Sequence, residues 1–341
     1  MSWSFWVLAP SPIAPVTMPD PGLIRFPKAM ATDVPPPPSL AGRLTEYVAL
    51  APRTTWRIGG PARWLATFET HDALQIFWSR LSPETPRFVL GGGSNILVSD
   101  AGFDGVVLDL SCGINRITLQ SPAGKETPEA IMVAEAGAST RSLAHAARRL
   151  GLSGTEFLSG IPGSVGGALV MNAGAHGREL KDILIDAVAL DPDGQRHTLT
   201  PNDLQMNYRH THLPHGWIFT AARFRLTPLD PGIIRQTMQR YNHYRRTHQP
   251  LSQPSAGSTF KNPPQGSPAW QLIAASGMRG AAVGDARVSD KHCNFFVNMG
   301  HATATDMTQL IRNVRDAVFS HSGITLETEV ALLQPRGLTA F

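Results

Sequence analysis

Residues 87–95 read Arg87-Phe88-Val89-Leu90-Gly91-Gly92-Gly93-Ser94-Asn95, a short apolar run that passes directly into three glycines. Glycine reaches positive φ at little cost, so consecutive glycines can turn successive backbone N–H groups into a concavity that suits phosphate oxygens. The segment after the loop decides the fold. In a Rossmann or Walker nucleotide site the glycine loop opens a helix. Here residues 96–110 read instead as a turn and another apolar strand. The pentapeptide is therefore either a phosphate loop of a different architecture or a glycine-rich hairpin without a ligand. Outward from it, strands are expected at residues 63–68, 87–90, 105–110, 131–135, 183–190 and 217–226, with helical patterns at 71–81 and 139–150. The layout is mixed, without regular βαβ alternation, and the expected class is α+β.

A second loop bears on the first. Gly160-Ile161-Pro162-Gly163-Ser164-Val165-Gly166-Gly167-Ala168 precedes Met171-Asn172-Ala173-Gly174-Ala175. So many small residues indicate backbone lying against something flat or against another backbone. One cofactor held between the two glycine loops explains both; tight helix packing explains only the second.

Past a breaker cluster at residues 227–232, a candidate domain boundary, a helix is expected at 233–246 and a Pro/Ser/Gly-rich loop at 250–264. A helix near 268–276 and a strand at 294–298 come next. Met307, Leu310, Ile311, Val314 and Val318 form one apolar stripe at helical spacing, closed by Gly323. A last strand is expected at 327–333, which would place Glu327 and Glu329 on one face. Tyr208-Arg209 and the loop Ser255-Ala256-Gly257-Ser258-Thr259-Phe260-Lys261-Asn262-Pro263 carry the other polar groups of interest. His210, His212 and His215 imitate a metal cluster, but they lack paired acidic or cysteine ligands nearby, so no metal site is expected.

The 341 residues suggest about two domains, and 42% hydrophobic against 16% charged residues excludes a disordered chain. Thirty basic and 26 acidic residues leave a charge of +4, too weak a field to call for nucleic acid. Two cysteines, Cys112 and Cys293, cannot build a disulfide framework, and a reducing cytoplasm is the expected setting. Ten of the 28 prolines lie within residues 1–38, where no Lys or Arg precedes Arg25. That pattern lacks the basic start and unbroken apolar run of a secretion signal, and residues 1–39 read as a disordered Pro-rich extension. No run approaches the roughly 20 apolar residues of a membrane span.

Seven motifs stand in order: Thr55-Trp56-Arg57-Ile58-Gly59-Gly60-Pro61-Ala62, the Gly91–Asn95 loop, residues 160–174, Tyr208-Arg209, residues 255–263, Val288-Ser289-Asp290-Lys291-His292-Cys293-Asn294-Phe295, and residues 326–330. In this order they resemble the UDP-N-acetylenolpyruvoylglucosamine reductase family, flavoenzymes of peptidoglycan precursor synthesis, from about residue 40 to residue 333. The resemblance implies a two-part FAD-binding domain of the vanillyl-alcohol-oxidase (PCMH) type at 40–228 and a C-terminal α+β substrate-binding domain at 229–341. The 49-residue interval from Arg209 to Ser258 resembles the shorter, second type of the family.

It further implies non-covalent FAD contacted by Gly91, Gly92, Gly93, Ser94, Asn95, Ile161, Pro162, Gly163, Ser164, Gly166, Gly167 and Asn172. NADPH is the implied co-substrate, and UDP-N-acetylglucosamine enolpyruvate is the implied substrate, contacted by Tyr208, Lys261 and Asn262. Ser258 is the implied proton donor, with Arg209 and Glu329 as its catalytic companions; no nucleic acid or membrane partner is implied. The chain departs from the family at His176, where Tyr is common, and at Cys293, where Ala is common.

Overall fold

The computed structural model describes residues 42–120, 130–339 and 341, so the expected extension at 1–39 lies outside the described residues. Five strands come first: β1 (Gly42–Ala49), β2 (Pro61–Phe68), β3 (Arg87–Leu90), β4 (Ile96–Val98) and β5 (Phe103–Asp109). They form a sheet in the order β1-β2-β5-β3, with β2 and β3 both parallel to β5; β4 stands apart. Helix α1 (His71–Arg80) lies in the connection from β2 to β3, because parallel pairing cannot be made by a hairpin. The Thr70 side chain caps it by accepting from the Ala73 N–H, and Ala73, Leu74, Phe77 and Trp78 form its buried face.

The next body is antiparallel. It contains β6 (Ile117–Gln120), β7 (Ala130–Glu135), the two-residue strands β8 (Leu152–Ser153), β9 (Gly174–Ala175) and β10 (Arg178–Glu179), then β11 (Leu184–Leu190), β12 (Arg196–Leu199) and β13 (Ile218–Pro228). The order is β12-β11-β13-β7-β6, while β9 and β10 make a small separate ribbon. Helices α2 (Thr140–Arg149) and α3 (Val165–Val170) start at Ser139 and Ser164, whose side chains cap them. Helix α4 (Pro231–His248) then starts at Asp230, three residues after Thr227. The breaker cluster is thus a strand-to-helix turn, and the buried Ile234 and Met238 of α4 join the core built on Phe68, Phe77, Phe157 and Phe224.

The last part comprises β14 (Ser255–Ser258), helix α5 (Ala269–Ala275), β15 (Ala282–Val283), β16 (Ala286–Val288), β17 (Phe295–Asn298), helix α6 (Ala304–Ser322), β18 (Ala331–Gln334) and β19 (Gly337–Thr339). The sheet order is β14-β17-β16-β15. The five-residue stripe of α6 is buried throughout, each side chain contributing about 1.5–3 kcal/mol of burial. Thr303 and Asp306 close a capping box at its start, and Gly323 ends it at φ 71°.

The expected strand at 327–333 forms only from Ala331 onward. Residues 326–330 instead run beside 259–261 in irregular pairing, with an isolated bridge between Phe260 and Thr328. Glu327 and Glu329 flank this bridge in different surroundings: the Glu327 side chain is 76% exposed and that of Glu329 15%.

Long-range bonds join this last part to the N-terminal segments around Trp56, β4 and Asp100. β18 pairs in parallel with β4, immediately downstream of the Gly91–Asn95 loop. Trp56 Nε1 donates to the Phe296 carbonyl at 2.7 Å, and Asn298 Nδ2 donates to the Trp56 carbonyl at 3.0 Å. The Asp100 carboxylate accepts from the Ala304 and Thr305 amides at 2.7 and 2.9 Å, meeting the positive end of α6.

Candidate active site

Tyr208 and Arg209 occupy the tip of a tight turn closed by reciprocal backbone bonds between Asn207 and His210, at 2.9 and 3.1 Å. Arg209 is held at φ 53°, a backbone region that non-glycine residues seldom enter without compensation. Its Nε donates to Glu329 Oε1 at 2.7 Å and its Nη2 to the Gly174 carbonyl at 3.2 Å. The exposed Tyr208 ring lies 5.0 Å from the guanidinium carbon.

Glu329 is fixed on three sides. Its N–H donates to the Thr259 carbonyl at 2.8 Å, its carbonyl accepts from Asn95 Nδ2 at 3.0 Å, and its carboxylate meets Arg209. Burial pushes the Glu329 carboxyl above its ordinary range, although Arg209 and Lys261 act in the opposite direction. Ser258 ends β14, one residue before the Thr259 carbonyl that binds Glu329. Beside it Gly257 adopts φ 79° with open space where a Cβ would stand, which leaves a ligand room to approach.

Ser258, Arg209 and Glu329, from three distant motifs, are thereby drawn to one region. Lys261 and Asn262 lie at its margin. Lys261 Nζ pairs with Glu327 at 3.2 Å, and Asn262 Oδ1 accepts from the Ala269 N–H at 3.0 Å, tying the loop to the start of α5.

The two glycine loops meet directly. A Cβ on Gly92 would lie 2.5 Å from the Gly163 Cα, and Ser94 Oγ donates to the Pro162 carbonyl at 3.1 Å. The N–H groups of Gly92, Gly93 and Ser94 donate to no protein acceptor among the described residues, and Gly93 sits at φ 60°. Such a nest fits the phosphates of a dinucleotide. Thr140 anchors the second loop, its Oγ1 donating to the Ile161 carbonyl at 2.6 Å and its N–H to Gly163 O at 3.1 Å. The amides of Gly166 and Gly167 are already held by Ala136 O and Ser164 Oγ, so these residues contribute closeness of approach.

Asn172 differs from the other residues expected to touch the cofactor. It is fully buried, and its Nδ2 donates to Glu179 Oε2 at 3.0 Å and to the Asn207 carbonyl at 2.9 Å. Its Oδ1 accepts from the Lys181 N–H at 3.0 Å. Sequence reasoning missed these bridging roles of Asn95 and Asn172, along with Gly174 as the second anchor of Arg209. The one signal for Asn172 was a polar side chain set among glycines and alanines. His176 stacks on Tyr241 with ring centroids 3.9 Å apart, and burial together with Arg245 and Arg240 lowers its pKa. Cys293 is buried, which raises its thiol pKa and disfavours the thiolate.

Among the described residues no group of three or more His, Cys, Asp or Glu could hold a metal, and no helix is long and apolar enough to cross a membrane. Residues 64–200 match the family described as FAD binding domain, and residues 249–333 match the C-terminal domain of UDP-N-acetylenolpyruvoylglucosamine reductase. A relative from Magnetococcus marinus bearing the reductase's name is 48% identical over 295 residues, 86% of this chain and 94% of that one. The chain belongs to the UDP-N-acetylenolpyruvoylglucosamine reductase family. Another reductase of that name, from Rhodopseudomonas palustris, is 47% identical over 293 residues, 86% of this chain and 92% of its own. The crystal structure of the Thermus caldophilus UDP-N-acetylenolpyruvylglucosamine reductase superposes with a TM-score of 0.72 at 38% identity, covering 85% of this chain and 99% of that chain. The fold is accordingly the reductase family's own: a FAD-binding domain followed by an α+β C-terminal domain.

Proposed function

We propose that this chain reduces UDP-N-acetylglucosamine enolpyruvate to UDP-N-acetylmuramate, with non-covalent FAD and with NADPH as reductant, in the cytoplasmic synthesis of peptidoglycan precursors. The observation that carries this reading is the Arg209–Glu329 pair, joined through Asn95 to the glycine loop that fits a dinucleotide. When bound and reduced by NADPH, the flavin would supply the hydride for the CH₂ carbon of the enolpyruvyl group. Residues 40–228 hold the cofactor in this reading, with Gly91, Gly92, Gly93, Ser94 and Asn95 facing Ile161, Pro162, Gly163, Ser164, Gly166 and Gly167. Residues 229–341 present the substrate-binding groups, Lys261 and Asn262, beside Tyr208.

The substrate's double bond bears a carboxylate, so negative charge accumulates there as the hydride arrives. Arg209 meets that charge. Its Nε and Nη2 are held by Glu329 and Gly174, which leaves Nη1 for the substrate. Loss of a donor aimed at developing charge lowers the rate by about 10²–10³. Ser258 donates the proton to the remaining carbon, from one face, and so sets the new stereocentre. An ionised Glu329 would oppose the developing charge, and burial shifts its carboxyl toward the neutral form; in either form its 2.7 Å contact with Arg209 Nε orients the guanidinium.

The test is an anaerobic flavin spectrum. NADPH should bleach the bound flavin, and the enolpyruvyl sugar nucleotide should restore its colour without oxygen. A protein that takes up no FAD, or whose bleached flavin is restored only by oxygen, overturns the reading.

A further inference from the structure

We infer that Asn172 is a positioning residue for Arg209. The inference rests on the proposed catalytic role of Arg209. The side chain of Asn172 grips the Asn207 carbonyl at 2.9 Å, two residues before Arg209. Its backbone leads in two residues to Gly174, whose carbonyl accepts from Arg209 Nη2 at 3.2 Å. One buried residue thus fixes both the turn that carries the guanidinium and the acceptor that orients it. Two further bonds of the amide, from the Lys181 N–H to Oδ1 and from Nδ2 to Glu179, prevent it from rotating.

This arrangement dictates the residue type. Only a side-chain amide donates twice and accepts in one plane at this size. The backbone at Asn172 also sits at φ 39°, which asparagine tolerates better than other non-glycine residues. Arg209 itself stands at φ 53°, so its turn is a strained one that needs external bonds to persist. On the other side of the tip, Thr211 Oγ1 donates to the Leu169 carbonyl at 2.6 Å. The His212 N–H also donates to the Leu204 carbonyl at 2.8 Å, whereas Asn172 is the side chain that holds the Asn207 carbonyl itself.

The test compares the full-length FAD-loaded protein with Asn172→Ala, Arg209→Ala and the double variant. Asn172→Ala should leave flavin uptake and flavin reduction by NADPH nearly unchanged, and slow reoxidation by the enolpyruvyl substrate by roughly 10- to 100-fold. The double variant should be no slower than Arg209→Ala, because the two residues act as one unit. Carbon NMR of Glu-labelled protein gives a readout independent of turnover: the Glu329 carboxyl should titrate higher in Asn172→Ala, as Arg209 moves away. Loss of flavin uptake, multiplicative slowing, or an unmoved Glu329 titration overturns the inference.

If the parent protein's bleached flavin is not restored by substrate, the reductase reading fails, and the Glu329 titration still decides the role of Asn172. Should Asn172→Ala fail to fold, Asn172→Asp keeps the shape and the acceptor. When protonated it can again donate to Asn207. Its Glu329 titration and reoxidation rate should approach the parent's as pH falls, and a defect that does not change with pH overturns the inference.

Discussion

Glu329 stands where two physical effects oppose each other. Arg209 favours its charged form, whereas burial favours the neutral one and outweighs the arginine. The folded protein therefore binds this proton more tightly than the unfolded chain does. The resulting contribution to stability is complete below the unfolded pKa and is lost as pH rises through the raised folded value. Replacing Glu329 with Gln removes the titration. The stability of the parent relative to Glu329→Gln should accordingly fall from acidic toward neutral pH, as read by urea midpoints at several pH values; a constant difference would contradict it. Ser258 makes a separate prediction. Ser258→Ala should bleach with NADPH at the parent rate yet turn over about 10²–10⁴ times more slowly, since only the protonation step has lost its donor. Normal turnover in stopped-flow assays would remove Ser258 from the mechanism.

At the scale of elements, the two glycine loops act as facing surfaces, and their contact shows what a side chain would do. A methyl group on Gly92 would meet the Gly163 backbone at 2.5 Å and drive the loops apart. Gly92→Ala should weaken FAD binding on the order of tenfold or more, ~1.4 kcal/mol, measured by flavin fluorescence titration; an unchanged affinity would mean that the loops do not form the cradle. Much at this scale was legible in the sequence. The α6 stripe declares itself through local periodicity, and the failure of Gly91–Asn95 to open a helix is a local fact about residues 96–110. The hidden part depends on pairing between distant segments. The parallel ladder of β4 with β18 leaves no mark in either short apolar run, yet it brings Glu329 to Asn95. Likewise the breaker at residues 227–232 announces a turn, but not that α4 packs back onto the first core. Residues 326–330 alternate as a strand would, but their pairing is limited to one antiparallel bridge with 259–261.

Across the whole molecule, bonds between distant segments decide which part of the chain the site needs. Trp56 bonded to Phe296, Asp100 capping α6, and β18 laid on β4 bind residues 56–100 to the last segment. Each link spans about 200 residues or more, so the site's geometry depends on cooperation of the chain from β1 onward. The Magnetococcus marinus relative is matched over 94% of its own length by 86% of this chain, so nearly all of that reductase is matched without using the whole of this one. A protein that begins at Met30 should therefore keep its flavin and reoxidise it with substrate at close to the full-length rate. The comparison is made on both proteins loaded with FAD, by absorbance ratio and by single-turnover reoxidation. A truncated protein that purifies folded but colourless would show that the Pro-rich stretch contributes to the cofactor site. One that holds flavin yet reoxidises slowly would place its contribution on the substrate side instead.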